Sequence, residues 1–456
     1  MKLVKPLKKT KMKTPILDFL KKYSAENTVR LHMPGHKGVD YLGVENLDLT
    51  EINGADSLYD ANGIIAESEK NASDIFGVKT YYSTEGSSLA IRAMLYLCLQ
   101  YAKANGKSPF ILAGRNAHKT FVSAVGLLDF KVKWLYPQKQ SYLSCNVSAK
   151  QIDGILNKIK QKPVAIYLTS PDYLGNVVDI AEISKVCKKH GVLLLVDCAH
   201  GSYLRFLDDS KFPTDLGADM CCSSAHKTLP VLTGGAYLHV GESILNELNC
   251  NPKTALSLFG STSPSYLIMA SLDGANKVIK NGYREDLSAI ITRVNALKKL
   301  LKSKGYEIVG NELLKITLKT KSYGYKGEDF SKLLENKGVF CEFCDEDFVV
   351  MMFTSNTPCQ DFDKIESVLL SIEKSLPIKE NPPKAICLKR KTSIRKAMLS
   401  PSEYLPIDEC KGRVLACLNV SCPPAVQIVC AGEIIDERAI EIFKYYKIQG
   451  CNVIKK

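Results

Sequence analysis

The sequence contains no apolar run close to the ~20 residues that a membrane-spanning helix needs. Its first thirteen residues include six lysines, and they are not followed by the apolar core of a signal peptide. The only C-x-x-C pattern, Cys341 to Cys344, has no second matching pair, which a structural zinc site would require. We therefore expect a cytoplasmic protein that has no membrane segment and binds no metal.

Few features point to a nucleic-acid partner, although the 456-residue chain has a net charge of +13. The basic residues are spread along the chain, and the run Lys384–Lys391 carries no interleaved aromatic side chains. We interpret this run as a solvated linker and expect no nucleic-acid binding. The sixteen cysteines indicate free thiols in a reducing compartment. The role of Cys341 and Cys344 is left open.

Short apolar segments alternate with helical patterns between about residues 60 and 245. Strands are predicted at 110–113, 132–136, 165–169, 193–196 and 220–223. Helices are predicted at 67–76, 89–101 and 180–190, the last ending at Gly191. Continuous apolar strands that alternate with helices are typical of an α/β fold, with a mostly parallel sheet covered by helices on both faces.

The rest of the chain divides by pattern into smaller units. We predict an N-terminal arm (1–30), a large domain (31–255), a small α+β domain (256–375), and a linker with a short C-terminal domain (376–456). A long helix is predicted over about 255–285. Further helices are expected at 289–302 and 328–336, and strands at 314–318 and 348–353. Three prolines within 376–383 indicate the linker.

Lys227 is the centre of the predicted chemistry, because it follows an apolar strand and lies among small residues. A lysine amine becomes a nucleophile when burial or a nearby cation lowers its pKa, and it then forms Schiff bases with carbonyl compounds such as pyridoxal phosphate. Asp197 ends the preceding predicted strand, at the sheet edge where sites gather. A carboxylate there can keep a pyridine nitrogen protonated while the lysine holds the aldehyde.

Two further stretches suit the same kind of ligand. Gly86, Ser87 and Ser88 open a predicted helix, where backbone N–H groups can bind a phosphate. His118 follows another strand and could stack on an aromatic ring. Each residue alone also has an ordinary explanation: a surface lysine, a capping aspartate or serine, or a loop histidine. Their combination is what favours a pyridoxal phosphate site.

In these stretches the sequence resembles the Orn/Lys/Arg decarboxylase family in its shorter bacterial form. The resemblance implies the aspartate-aminotransferase-like fold, fold type I, with pyridoxal 5'-phosphate as cofactor. The stretches that carry it are His32–Lys37, Asp56–Leu58 with Gly63–Ile65, Gly86–Ser88, Arg115–Lys119, Asp197–Gly201, Ser224–Leu229, Pro423–Pro424 and Ala431–Glu433.

The resemblance also implies roles. Lys227 forms the Schiff base, Asp197 contacts the pyridinium, His118 stacks on the ring and His200 lies beside it. The phosphate is held by Gly86, Ser87, Ser88, Ser224 and His226. The substrate is a basic amino acid (arginine, lysine or ornithine), which loses carbon dioxide to give a diamine or polyamine precursor. A homodimer or higher homo-oligomer is expected, with sites formed between subunits.

Several positions depart from the family pattern. Gly234 and Gly235 follow Thr233 where Thr-Gln is expected, Leu89 stands where an Asn often follows the phosphate loop, and Cys430 replaces a proline. An aminotransferase or lyase on the same scaffold, or a non-catalytic cofactor-binding homologue, therefore stays open.

An acid is needed to contact the distal cation of a basic substrate. The candidates are Glu433, Asp56 and Glu342, which the sequence alone does not rank. An aminotransferase would need a group for the α-carboxylate, usually an arginine of the small domain. The region 286–375 offers only Arg293.

Overall fold

The computed structural model describes residues 12–26, 28–137, 142–248, 250–416, 421–422 and 426–456. Most of the basic N-terminal run and the motif residues Pro423 and Pro424 lie outside this part of the chain. Within it, no helix is both long and apolar enough to cross a membrane.

Fifteen α-helices are present in the described residues. They are α1 Pro15–Ala25, α2 Ile64–Phe76, α3 Gly86–Ala104, α4 Lys119–Leu127, α5 Ala149–Lys158, α6 Ile180–His190, α7 Ala225–Thr228, α8 Glu242–Glu247, α9 Pro252–Ser257, α10 Tyr266–Lys280, α11 Tyr283–Ser303, α12 Gly327–Glu335, α13 Cys359–Leu370, α14 Ile394–Leu399 and α15 Glu437–Tyr445. Short 3-10 turns include Leu58–Asp60 and Ser202–Phe206.

Four sheets contain the strands of the described chain. The strands are β1 Lys79–Ser83, β2 Phe110–Gly114, β3 Lys131–Leu135, β4 Ala165–Thr169, β5 Leu193–Asp197, β6 Met220–Ser223, β7 Ala236–Val240, β8 Ile308–Val309, β9 Lys315–Lys319, β10 Phe343–Cys344, β11 Phe348–Met352, β12 Ser402–Pro406, β13 Ser421–Cys422, β14 Val426–Gln427 and β15 Gly450–Ile454.

The seven-stranded sheet has the order β1-β7-β6-β5-β4-β2-β3. Its neighbours are parallel except for β7, which pairs antiparallel with both β1 and β6. Successive residues of β5 point to opposite faces: Leu194 and Val196 pack in one core, and Leu193 and Leu195 in another. The prediction of a mostly parallel α/β sheet buried on both faces is therefore confirmed.

The long helix predicted over 255–285 is wrong. In its place α9 ends at Ser257, α10 begins at Tyr266, and α11 begins at Tyr283. Ser265 caps α10 through its side chain, and Gly282 has a φ of +114°, which ends one helix before the next begins. Strands β1 and β7 were not predicted.

A second, antiparallel sheet has the order β10-β11-β9-β8 and lies in the predicted small α+β region. The predicted linker is free of helices and strands from 371 to 393, apart from two isolated bridge positions. The remaining elements, from α14 to β15, form the C-terminal part. The exact four-domain division stays a prediction.

Residues 28–44, called here the exposed segment, contain the motif His32–Lys37. Seven large apolar side chains of this segment are solvent-exposed, including Leu31 at 87% and Leu42 at 83%. Polar contacts hold its backbone, because Arg30 donates to the carbonyl of Asn46 and Lys37 donates to the carbonyl of His32. The segment is thus ordered, yet its apolar side chains face water.

Candidate active site

The carboxyl ends of β4, β5 and β6 bring several predicted residues together. In the register of the sheet, Thr169 is opposite Asp197, which is opposite Cys222. A cavity at this edge is lined by Ser87, Asn116, His118, Thr169, Asp172, Tyr173, Asp197, Ala199, His200, Lys227 and a few apolar neighbours. Five predicted site residues therefore line one cavity. Gly86, Ser88, Ser224 and His226 are outside this lining.

Lys227 lies in α7, a single turn directly after β6, rather than in an open loop. Its Nζ is 2.8 Å from Nε2 of His200 and 5.7 Å from the centre of the Tyr173 ring. Burial lowers the pKa of Lys227, while the negative charges of Glu342 and Asp197 oppose this change. A larger share of the amine is therefore neutral, and nucleophilic, than for a solvated lysine.

His200 is buried, and its Nδ1 has no hydrogen-bond partner. Burial lowers its pKa well below the ordinary value, and the nearby cations of Lys315 and Lys227 act in the same direction. The ring of Tyr173 packs edge-on against it, with 4.9 Å between the ring centres. His200 is thus a neutral imidazole that can accept or donate a proton at Nε2 beside Lys227.

Asp197 is the last residue of β5 and is buried. Tyr167 donates to its Oδ2 over 3.2 Å, and the backbone amide of Ala199 donates to its Oδ1 over 3.2 Å. These two donors fix the orientation of the carboxylate at the cavity wall. A carboxylate oriented in this way can bind a protonated ring nitrogen.

His118 caps the N-terminus of α4. Its Nδ1 accepts from the amide of Thr120 over 3.2 Å and lies 2.9 Å from the Thr120 hydroxyl. Burial lowers its pKa, Asp197 opposes this change, and Lys227 supports it. The capping bonds orient the imidazole in the cavity, where it can pack on a planar ligand.

The predicted phosphate residues lie at two helix starts. Glu85 precedes α3 but makes no side-chain bond to the first amides of the helix, and Ser87 and Ser88 belong to this first turn. Ser224 precedes α7, also without a side-chain cap. The amide of Gly86 bonds to the carbonyl of Gly234, and no side chain caps the start of this 19-residue helix. Amides without a side-chain cap at a helix start attract an anion. The side chain of His226 is tied by Nδ1 to the carbonyl of Gly235 over 2.9 Å.

The departures at Gly234 and Gly235 have a structural reason. Gly234 has a φ of +99°, and a Cβ there would lie 2.8 Å from the Thr84 carbonyl oxygen. Its own carbonyl accepts from the amide of Gly86 over 2.7 Å. Gly234 therefore contacts the start of α3 at close range, whereas a Cβ at Gly235 would meet Val231 and the carbonyl oxygen of Leu232.

Sequence reasoning missed the loop 170–176, which follows β4 and carries Tyr173. It also missed Lys315, a buried residue of β9, which donates through Nζ to the carbonyl of Asp172 over 2.9 Å. Gly175 accepts at its carbonyl from the amides of Asn311 and Glu312. A polar loop after a parallel strand was the available signal, but the contact with β9 depends on tertiary packing.

The three candidate acids lie in different surroundings. Asp56 accepts from the amides of Ser57, Asn62, Gly63 and Ile65. Although burial opposes ionisation, these bonds lower its pKa. Asp56 thus holds the start of α2.

The buried Glu433 accepts from the amide of Cys430 over 2.8 Å and lies 3.7 Å from Arg115. Glu342 is different, because it is exposed on the small sheet and acts electrostatically on Lys227, His226 and Tyr173.

Two other predicted features lie outside the cavity lining. Arg293 bonds to Asp363 over 3.1 Å on the surface of α13, so the aminotransferase role considered for it has no support from its position. Cys344 is the second residue of β10 and Cys341 lies two residues before this strand, and burial raises the pKa of Cys341 to about 12. The described cysteine side chains include no disulfide. No group of three or more potential metal ligands occurs among the described residues.

These residues fit pyridoxal phosphate. The cavity offers a lysine with a lowered pKa for the aldehyde, a fixed carboxylate for the ring nitrogen, and a buried histidine atom without a partner. The uncapped start of α3 suits the phosphate.

Known proteins resemble the chain along most of its length. The profile described as "Orn/Lys/Arg decarboxylase, major domain" matches residues 14–319, and "Orn/Lys/Arg decarboxylase, C-terminal domain" matches 379–451. The "Uncharacterized protein YaaO" of Bacillus subtilis is 28% identical, over 94% of this chain and 93% of that protein. An arginine decarboxylase of Bacillus subtilis is 27% identical, over 94% and 93%. The lysine decarboxylase LdcF of Francisella novicida shares the fold, with a TM-score of 0.78 at 17% identity, over 97% and 81%.

Proposed function

Because the chain belongs to the Orn/Lys/Arg decarboxylase family, it is a pyridoxal-phosphate-dependent decarboxylase of a basic amino acid, and we propose that its substrate is L-arginine. The arginine decarboxylase of Bacillus subtilis supports this choice, since it aligns over nearly its full length. Lysine is ranked second, because the lysine decarboxylase LdcF is similar at only 17% identity. Ornithine is the third candidate. The amine product would be a polyamine precursor.

The observation that supports cofactor-dependent decarboxylation is the distance of 2.8 Å between Lys227 Nζ and His200 Nε2, in the cavity that Asp197 also lines. When bound, the cofactor supplies an electron sink for the bond that releases carbon dioxide. In the proposed roles, Lys227 attaches the cofactor, Asp197 keeps the ring nitrogen protonated and His118 packs on the ring. His200 exchanges a proton with Lys227, which returns a proton to the substrate carbon.

We assign phosphate binding to the starts of α3 and α7, where Gly86, Ser87, Ser88, Ser224 and His226 lie. The macrodipole of α3 favours an anion at that position. The contact of Gly234 with Gly86 keeps the loop close to the helix start. This part of the site holds the cofactor and leaves the opposite side of the cavity for the substrate.

We propose that Glu342 contacts the distal cation of the substrate. Of the three candidate acids, it is the one exposed on the small sheet with an electrostatic effect on Lys227. Replacement by glutamine keeps the size and removes the charge. Glu342→Gln is expected to raise the KM for arginine about tenfold with a smaller effect on kcat, since a charge-assisted bond is lost. An unchanged KM would exclude this role, and Glu366→Gln on α13 is the control.

We also propose a cytoplasmic homodimer in which the exposed segment packs on the second copy. The support is the row of exposed apolar side chains on a backbone that is already ordered by polar contacts. Exposed apolar patches of this kind mark interaction sites. Sedimentation analysis of the purified protein tests the proposal, and a monomer at micromolar concentration would contradict it.

The decisive experiment measures carbon dioxide release by the purified holoenzyme from arginine, lysine and ornithine. We expect an absorbance band of the lysine-bound cofactor, and the highest kcat/KM for arginine. A band with preference for lysine or ornithine would overturn the substrate assignment only. A band with amino-group transfer, and no carbon dioxide from any of the three, would favour the aminotransferase alternative.

A further inference from the structure

The loop that follows β4 is bonded to strand β9 of the small sheet on both sides of Tyr173. Lys315 donates from Nζ to the carbonyl of Asp172 over 2.9 Å, and Thr317 donates from its hydroxyl to the carbonyl of Leu174 over 3.0 Å. Alternate residues of a strand point to the same face of a sheet, so these two side chains reach the loop together. Their bonds restrain the backbone immediately before and after Tyr173.

The ring of Tyr173 lies between the small sheet and the catalytic histidine. Its centre is 6.1 Å from that of Phe343 in β10 and 4.9 Å from that of His200. Nζ of Lys227 is 5.7 Å from the centre of the same ring. The loop therefore packs against the two groups between which a proton is exchanged in the proposed reaction. A displacement of the loop would change the position of His200 relative to Lys227.

Lys315 is an unusual residue for holding a loop. It is 3% exposed, and burial lowers its pKa, while the charges of Glu312 and Asp172 oppose this change. An amine cation in the interior costs free energy unless acids compensate for it. Thr317 shows that a neutral hydroxyl is enough to bond to a carbonyl of the same loop. A bond to one carbonyl therefore does not explain why this residue is a lysine.

The charge of Lys315 acts on His200. Burial is the largest cause of the lowered pKa of His200, and the charge of Lys315 is the next, ahead of that of Lys227. Besides Lys315, the titratable groups around this imidazole are Lys227, His226, His118, Tyr173, Asp172 and Asp197. The basic groups among them act in the same direction as Lys315. Together they favour the neutral imidazole, which can accept a proton at Nε2.

We propose that Lys315 is a positioning residue for the decarboxylation, which holds the Tyr173 loop against His200 and keeps a positive charge near the imidazole. This inference rests on the proposed function, in which His200 exchanges a proton with Lys227. Lys315 does not belong to the lining of the catalytic cavity, so it acts through the loop and through its charge. A neutral side chain at this position would loosen the loop and let His200 take up a proton at higher pH.

The test compares three variants of the holoenzyme. Lys315→Met removes the bond and the charge at nearly the same side-chain length. Thr317→Val keeps the shape and removes only the bond to the carbonyl of Leu174. Lys321→Met is the matched control, because Lys321 is a buried lysine just after β9 whose amine pairs with Asp347 and with a residue of the linker.

Hydrogen exchange followed by mass spectrometry reports on the loop without turnover. We expect the amides of residues 170–177 to exchange at least about threefold faster in Lys315→Met and Thr317→Val, and at an unchanged rate in Lys321→Met. The amides of β4 serve as the internal reference. An unchanged exchange rate of the loop in Lys315→Met would overturn the positioning role.

Steady-state kinetics measures the effect on the reaction, with the basic amino acid that the wild type decarboxylates best. We expect kcat to fall about tenfold in Lys315→Met and about threefold in Thr317→Val, with KM changed less than about twofold in both. Only Lys315→Met should move the acid limb of the kcat profile to higher pH, because the lost cation no longer disfavours protonated His200. An equal loss of kcat in Lys321→Met, or a profile that Lys315→Met leaves unchanged, would overturn the proposal.

The charge and the bond are separated by Lys315→Arg, which keeps the cation on a larger head group. It is expected to return the acid limb to its wild-type pH even where kcat stays reduced. An acid limb that stays at higher pH in Lys315→Arg would overturn the role of the charge. No carbon dioxide from arginine, lysine or ornithine in the wild type would contradict the proposed function instead, and hydrogen exchange would still decide whether Lys315 holds the loop.

Discussion

The residues around Lys227 and the exposed segment both carry family motifs, yet their surroundings are opposite. In the catalytic cavity, buried polar groups meet one another: Lys227 contacts His200, and Asp197 accepts from Tyr167. In the exposed segment, the backbone is held by polar bonds while Leu31 and Leu42 face water. In the first region, the described chain itself supplies these partners, although Nδ1 of His200 has none. The second has exposed apolar side chains, which is the arrangement on which we base the proposed dimer contact.

The largest expected effect is that of Lys227→Ala. Because the nucleophilic amine is removed, the absorbance band of the lysine-bound cofactor should vanish and activity should fall at least about a thousandfold. Absorbance spectra and carbon dioxide release measure both effects. A persistent band would show that another lysine binds the cofactor. The cavity around Lys227 would then not be the catalytic site.

Asp197→Asn tests whether the cavity depends on charge or only on shape. Asparagine can still accept from the amide of Ala199, but it cannot hold a proton on a ring nitrogen in the same way. We expect about a hundredfold loss of kcat with the cofactor retained. The matched control is Asp172→Asn, a buried cavity residue whose carboxylate bonds to Ser144 and Asn176. Equal losses of kcat in the two variants would contradict a special role for Asp197.

The exposed segment should respond through assembly instead of chemistry. Leu31→Asp with Leu42→Asp would place two charges in the proposed interface, and burial of each leucine contributes about 1.5–3 kcal/mol. We expect dimer dissociation to become at least about tenfold easier, with an unchanged fold. Sedimentation and circular dichroism measure these changes. Leu376→Asp is the control, because Leu376 is 87% exposed in the linker. A similar effect of Leu376→Asp on dimer dissociation would contradict the proposal that the exposed segment forms the dimer contact.

The parts of the fold that form the catalytic cavity and its surroundings differ in how far the sequence predicts them. Local patterns were sufficient for β5 and Asp197, because a continuous apolar strand followed by an acid is visible in the sequence. They were insufficient for β1 and β7, whose pairing depends on distant partners. The prediction of one long helix over 255–285 was wrong, because the helical pattern was given more weight than turn-forming residues such as Gly282. Loop 170–176 and the position of Glu342 depend on packing against the small sheet, which no local pattern encodes.

The smallest expected effect is a shift in pH dependence, and it links the small sheet to the cavity. Only the neutral amine of Lys227 attacks an aldehyde, so cofactor binding to the apoenzyme should slow as the pH falls through the lowered pKa of Lys227. Glu342 stabilises the protonated lysine and raises this pKa. Glu342→Gln should therefore lower the pKa and move the decline to more acidic pH. Stopped-flow absorbance across pH measures the shift, with Glu366→Gln as the control. An unchanged pH dependence would show that Glu342 does not act on Lys227, and would remove the electrostatic link between the small sheet and the catalytic cavity.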